Sequence, residues 1–156
     1  MPSRREQIRM TPEETKDFLE SQHTAQVATI GPNGRPHLVT VFYVTRGDSA
    51  VATWSYAKSQ KVVNLRRLPE ATVLVESGDS YAELRAVSME CDVTIIEDLE
   101  QIVAIGQELT GQLIDNDDVA TSAGQFIRAQ AEKRVGLLFT PTKVVTWDHT
   151  KLGGTY

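Results

Sequence analysis

Cysteine is all but missing from this 156-residue chain: Cys91 stands alone. An intramolecular disulfide is thereby excluded, and one thiol cannot by itself form a metal cluster. Cys91 falls in a stretch of alternating apolar residues and reads as a small strand side chain, not as a nucleophile. Histidine is scarce as well. His23, His37 and His149 show no ligand spacing, so no metal site is expected; His23 falls at a helix end, where the dipole favours a cation, and His37 just after a hairpin turn. No apolar run approaches the ~20 residues of a membrane span. The stretch Met1-Pro-Ser-Arg-Arg-Glu-Gln7 lacks the apolar core of a signal peptide, and a cytoplasmic protein is expected. There is no Gly-x-Ser-x-Gly elbow, no Gly-rich phosphate loop and no βαβα alternation, which argues against a hydrolase of that type and against a Rossmann fold. The acids of Asp115-Asn-Asp-Asp118 lack the spacing and the closing Glu of a calcium loop and read as the start of a helix. Positive charge is also short, with a formal net charge of −5. A nucleic-acid partner needs a broad basic surface and is not expected.

What is present describes one globular domain over residues 1–156, with 40% hydrophobic and 24% charged residues. Thr11-Pro-Glu-Glu14 opens a helix to about Ser21, with Thr11 as cap, Pro12 at the first helical position and Glu14 completing a capping box. Ala25–Ile30 alternates as a strand, Gly31-Pro-Asn-Gly34 is a hairpin turn, and Pro36–Val44 returns as one long strand. After a turn at Arg46–Ser49, a third strand covers Ala50–Trp54 and a short helix Ser59–Leu68. Ala71-Thr-Val-Leu-Val75 shows no polar alternation and is expected to be buried on both faces. Glu83–Ile96 reads as a long strand carrying a bulge or bend. Asp98 caps a helix with Gly111 as its stop, and Asp115–Asp118 opens another with acids at its positive end. Val135–Phe139 and Lys143–Trp147 complete the chain as two strands around a turn at Thr140-Pro-Thr142. Strands joined by tight turns pair antiparallel, and this many of them in so short a chain predict a closed barrel flanked by helices.

One stretch stands out against the acidic background. Between Ser59 and Pro69 lie Lys61, Arg66 and Arg67, with Lys58 just ahead and no acid among them. Free N–H groups at a helix start, serine hydroxyls and a first-turn lysine suit a phosphate. The plain alternative is a solvated basic helix face with Ser59 as an ordinary N-cap. A phosphate grip without a recognisable nucleophile or metal set points to an imported cofactor that performs the chemistry, and no catalytic side chain is assigned.

The hairpin Ala28-Thr-Ile-Gly-Pro-Asn-Gly-Arg-Pro-His-Leu-Val-Thr-Val-Phe-Tyr43, the segment Ser59-Gln-Lys-Val-Val-Asn-Leu-Arg-Arg-Leu-Pro69, the late Lys133-Arg-Val-Gly-Leu-Leu-Phe-Thr-Pro141 and the ending Val-Thr-Trp-Asp148 together resemble the pyridoxamine-phosphate-oxidase-like split-barrel family. The ending Trp147-Asp-His-Thr-Lys-Leu-Gly-Gly154 is similar to the actinobacterial flavin/deazaflavin oxidoreductases that use coenzyme F420. The resemblance implies a mainly β, six-stranded antiparallel Greek-key split barrel (α+β in class), and a homodimer with cofactor sites at its interface. It implies an F420-dependent oxidoreductase passing a hydride to a small-molecule electron acceptor: a conjugated carbonyl, a quinone-like ring or a tetrapyrrole. FMN in the same fold and a non-catalytic cofactor- or tetrapyrrole-binding protein are the alternatives, and Lys58 and Arg66 incline the reading towards F420. By position, Lys61 and Ser59 would hold the cofactor phosphate, helped by Asn64 and Arg67. Thr40, with the backbone of Val41 and Phe42, would face the ring system or its side chain. Trp54 and Ser55 would border the phosphate and ribityl region, and Trp147 would arrive from the partner to wall the ring. The arginine-bearing terminal segment of the pyridoxamine-phosphate oxidases has no equivalent, so their substrate is not expected.

Overall fold

Tyr43 decides how the sheet closes. The computed structural model describes residues 1–112 and 117–154, without side chains over 117–123. The elements run α1 (Arg4–Gln7), α2 (Pro12–Ser21), β1 (Thr24–Ile30), β2 (Pro36–Phe42), β3 (Val44–Arg46), β4 (Ala50–Tyr56), α3 (Gln60–Arg67), β5 (Glu70–Ser77), β6 (Arg85–Ile96), α4 (Leu99–Gly111), α5 (Asp117–Ala131) and β7 (Arg134–Asp148), with 3-10 turns at Tyr81–Glu83 and His149–Leu152. The strands form one antiparallel sheet in the order β2-β1-β5-β6-β7-β4-β3. Its two ends, β2 and β3, are consecutive pieces of chain with Tyr43 between them, so the sheet closes through the covalent backbone.

This is the expected split barrel, with seven strands in place of six because the long strand read over Pro36–Val44 is cut in two. At the break Tyr43 is buried: its hydroxyl donates to the Leu19 carbonyl of α2 at 2.5 Å, and its amide donates to the His23 carbonyl at 3.0 Å, the last bond in register with the β1–β2 ladder before Val44 pairs with Ala52 of β4. Burial pushes the phenol well above its usual pKa. The Thr53 hydroxyl on β4 donates to the Phe42 carbonyl at 2.6 Å, so the last acceptor of β2 is also satisfied across the closure.

Two further differences follow from bulges and faces. The expected turn at Thr140–Thr142 is instead part of a continuous β7, which pairs β4 from Arg134 to Phe139 and β6 from Gly136 to Asp148. Pro141 cannot donate to a ladder. The register shifts between Glu90 and Cys91, opposite Pro141 and Lys143, and the Thr142 hydroxyl donates to the Glu90 carbonyl at 3.1 Å. The bulge expected in β6 is the same feature seen from the other strand. β5 is not buried on both faces: Ala71, Val73 and Val75 point inward while Thr72 is exposed. A run of apolar and small residues concealed a one-sided strand.

The barrel interior is filled by Val27, Val73, Val87, Met89, Leu137 and Phe139, closed at one side by Phe18 and Leu19 of α2 and at another by Val62 and Leu65 of α3. Helix α4 lays Ile105 and Leu109 on Val44 and Ala52, while Ile102 and Val103 meet Ile127 and Ala131 of α5. Cys91 is buried in the barrel, and burial pushes its thiol up to about 12, far from a thiolate at neutral pH. Caps act nearly as read. The Thr11 hydroxyl accepts from the Glu14 amide at 3.1 Å, but the Glu14 carboxylate leaves the expected box for Lys151 at 2.5 Å. A complete box lies at Ser3 and Glu6 of α1, and Asp98 caps α4 by accepting from the Gln101 amide at 3.0 Å. The end read as Asp115–Asp118 lies only partly within the described residues; α5 runs from Asp117.

Because the Leu19 carbonyl loses its partner when the phenol is removed, Tyr43→Phe is expected to cost ~1–2 kcal/mol in urea unfolding with an unchanged m-value.

Candidate functional site

The segment after β4 folds as its residues dictate. Ser59 takes an extended N-cap conformation and Leu68, ahead of Pro69, leaves the helical region at the other end of α3. Yet the Ser59 hydroxyl makes no capping hydrogen bond; it sits 3.3 Å from the Ser55 hydroxyl on β4. The first-turn amides of α3 therefore keep no side-chain cap, and Lys61 stands among them. Next to this helix start lies a cleft of about 330 Å³, bounded by Val41 and Phe42 of β2, Thr53 to Tyr56 of β4, Lys61, Leu109 and Thr110 of α4, and Arg134 of β7. None of the residues that bound it is acidic.

Electrostatics mark the cleft as a place for an anion. Lys61 is half-buried, and its ammonium is held below the usual lysine pKa, first by burial and then by the charge of Arg134. The Arg134 guanidinium lies over two rings at once, 4.5 Å from the Trp54 centroid and 3.9 Å from that of Tyr56. Its one hydrogen bond to a side chain, to Gln130, is long at 3.4 Å, and its Nε is buried without a partner. Trp54 is fixed from its other side by α4. A Cβ at Gly106 would stand 2.4 Å from Cζ3 of Trp54, so glycine at this position is what lets the helix approach the indole.

Of the residues carried over from the resemblance, Val41, Phe42, Trp54, Ser55 and Lys61 meet in this cleft, and Ser59 reaches it through Ser55. The others stand elsewhere. Thr40 is exposed on β2, outside the cleft lining. Asn64 is fully buried with both ends of its amide engaged, accepting from Gln60 at 2.8 Å and donating to Thr29 at 3.0 Å; it ties α3 to β1. Arg67, at the opposite end of α3, donates to the Ile30 carbonyl. Arg66 is paired with Glu97 at 2.9 Å, whereas Lys58 is exposed. Trp147 lies on β7 beyond the cleft of its own chain: Gly136 is opposite Trp54, and from there to Trp147 an extended strand covers about 35 Å.

Arg134, Tyr56, Leu109 and Thr110 escaped the sequence reading as site residues. Arg134 belongs to the Lys133–Pro141 motif, but only the β4–β7 pairing, with Tyr56 opposite Arg134, brings it to the helix start. Replacing the glycine that admits the indole, Gly106→Ala, is expected to lower stability by roughly 1–3 kcal/mol and to shift the tryptophan emission, as read by thermal melting and fluorescence.

The family model for pyridoxamine 5′-phosphate oxidase matches residues 11–148. Among solved structures, the conserved hypothetical protein Rv2991 from Mycobacterium tuberculosis superposes with a TM-score of 0.87 at 34% identity, over 99% of this chain and 95% of that one. A protein described as an F420 reductase superposes with a TM-score of 0.59 at 20% identity, over 86% of this chain and 98% of its own. HutZ, the heme storage protein from Vibrio cholerae, gives 0.64 at 16% identity, over 89% and 96%. These last two share the fold. No curated protein matches the chain.

Proposed function

The chain belongs to the pyridoxamine 5′-phosphate oxidase family, and on that premise we propose that it is an oxidoreductase whose cleft holds the phosphate of coenzyme F420. The observation that carries the proposal is the half-buried Lys61 at the uncapped start of α3, in a cleft bounded by no acid. A lysine desolvated beside another cation gains from an anion that stabilises its charge, and first-turn amides add donors at the same helix start. The residues present therefore fit a phosphate. FMN carries the same group, and it is the alternative. Lys58, exposed beside the helix start, favours F420 because that cofactor has an acidic tail outside its phosphate; Arg66, already paired with Glu97, adds nothing to that argument. The described F420 reductase of the same fold is in keeping with this choice.

When bound, such a cofactor supplies hydride chemistry at its ring, with a small-molecule electron acceptor as second substrate. The chain's own part is to bind, orient and exclude water. Lys61 and the α3 amides hold the phosphate, with the Ser55 and Ser59 hydroxyls beside them. Asn64 fixes the helix against β1, so Lys61 is presented from a rigid support. Val41, Phe42 and Leu109 form the apolar side of the cleft, where water is least favoured.

A homodimer is part of the proposal. Leu38 and Phe42 are 66% and 49% exposed on β2, and Gln26 Oε1, on the same face of β1 opposite Thr40, is buried without a hydrogen-bond partner. A second copy laid on this face would cover the apolar pair and offer a partner to Gln26. It would also account for Trp147, since Trp147 of the partner subunit could wall a ring that its own cleft does not reach.

Fluorescence titration with F420 and with FMN tests the function. Saturable binding of F420 at micromolar concentration or tighter is expected, together with turnover in an acceptor screen. Lys61→Ala should weaken binding by ~1–3 kcal/mol while leaving the fold intact. Preference for FMN moves the function to a flavoprotein, binding without turnover makes the protein a carrier, and an unchanged affinity in the variant removes Lys61 from the site.

A further inference from the structure

Arg134 is unlike the ion-paired arginines around it. Arg46 meets Glu108 at 2.7 Å, Arg66 meets Glu97 at 2.9 Å and Arg128 meets Glu100 at 2.7 Å, all at the surface, while Arg85 reaches Asp148 at 3.4 Å. Arg134 is half-buried, and no carboxylate among the described residues lies within ion-pair distance of it. Desolvating a guanidinium without an acid is costly, and two rings with one long bond to Gln130 repay only part of that. A second cation, Lys61, opens on the same cleft, so the pair repels until an anion arrives. The unpartnered Nε leaves a donor of the fork unused.

We infer that Arg134 is a second phosphate-binding residue of this cleft, and that Trp54 and Tyr56 act on it as positioning residues. This rests on reading the cleft as a phosphate site and goes further: the anion is gripped across the seam of β4 and β7, not by α3 alone. Trp54 and Tyr56 stand two residues apart on β4 and so share a face. Arg134, directly opposite Tyr56, extends over both rings. A guanidinium held this way has lost its rotamer freedom before the ligand comes, and its planar fork suits two phosphate oxygens where a lysine supplies a point charge. Lysine at position 134 would keep the charge and lose the fork.

The test compares each cofactor with its phosphate-free counterpart: FMN with riboflavin, and F420 with the bare deazaflavin riboside. Binding is titrated on the full chain of the wild type, Arg134→Gln, Arg134→Lys and Tyr56→Leu, with circular dichroism and melting temperature as checks of folding. Inorganic pyrophosphate is added separately as a thermal-shift probe that needs no ring. In Arg134→Gln, the phosphate-bearing ligand should bind roughly 10- to 100-fold more weakly, and the phosphate-free one as before. Arg134→Lys should recover part of the loss, and Tyr56→Leu should lose affinity for the phosphate-bearing ligand only. Pyrophosphate should raise the melting temperature of the wild type more than that of Arg134→Gln. Equal losses for both members of a pair would make Arg134 a packing residue and overturn the inference, as would an unchanged affinity for the phosphate-bearing ligand. If the wild type binds no ring-bearing cofactor yet pyrophosphate still stabilises it through Arg134, the proposed oxidoreductase falls and the anion site stands.

Discussion

The closure at Tyr43 is the constraint on which the other features depend. A sheet that begins with β2 and ends with β3 has both edges on one continuous stretch of chain, and the phenol buried against Leu19 holds the bend between them. Since the bend is fixed, the end of β2 is delivered to β4, where the Thr53 hydroxyl takes up the Phe42 carbonyl. Val41 and Phe42 therefore stand opposite Trp54 and Ser55, and the apolar wall of the cleft is a by-product of closing the barrel. The helices are fitted afterwards: α3 bridges β4 and β5 with its polar end at the cleft, and α4 reaches Trp54 only because residue 106 is glycine.

The cleft keeps its charges in an unfavourable state. Two cations share a poorly solvated space, and the Lys61 ammonium is held below the usual lysine pKa first by burial and then by the charge of Arg134. Such an arrangement gains from an anion, since a site built to be neutral when empty would gain less from one. Elsewhere on the described surface, arginine and acid are paired in the ordinary way, at Arg46–Glu108 and Arg128–Glu100. That contrast within one chain is more telling than the cations alone.

Much of this was legible in the residues. Turn chemistry at Asn33-Gly34, the cap at Thr11, the helix stop before Pro69 and the strand alternation of β1 located the elements, because each is decided by a few neighbouring side chains. What could not be read is decided by contacts distant in sequence. Nothing near Tyr43 says that it will turn inward, as its partner is the Leu19 carbonyl of another element. The Thr140-Pro-Thr142 stretch has the composition of a turn, and only the neighbouring β6 makes it a bulge in one strand. The site divides along the same line. Ser59 and Lys61 follow from local pattern, whereas Asn64 and Arg67 proved to be tied to β1, and Arg134 became visible through a strand pairing that no local signal announces.

The bulge at Pro141 acts as a phase shifter. Along β6 the residues facing the barrel keep one parity throughout, from Val87 and Met89 to Cys91 and Val93. Opposite them on β7 the residues that share this face are odd-numbered up to Phe139 and Pro141, then even-numbered at Val144 and Thr146. One inserted residue thus turns over everything that follows, and Trp147 faces outward where an uninterrupted strand would have pointed it into the barrel. The side of the molecule on which this indole is offered is set by a single count of residues, made at a proline well before it.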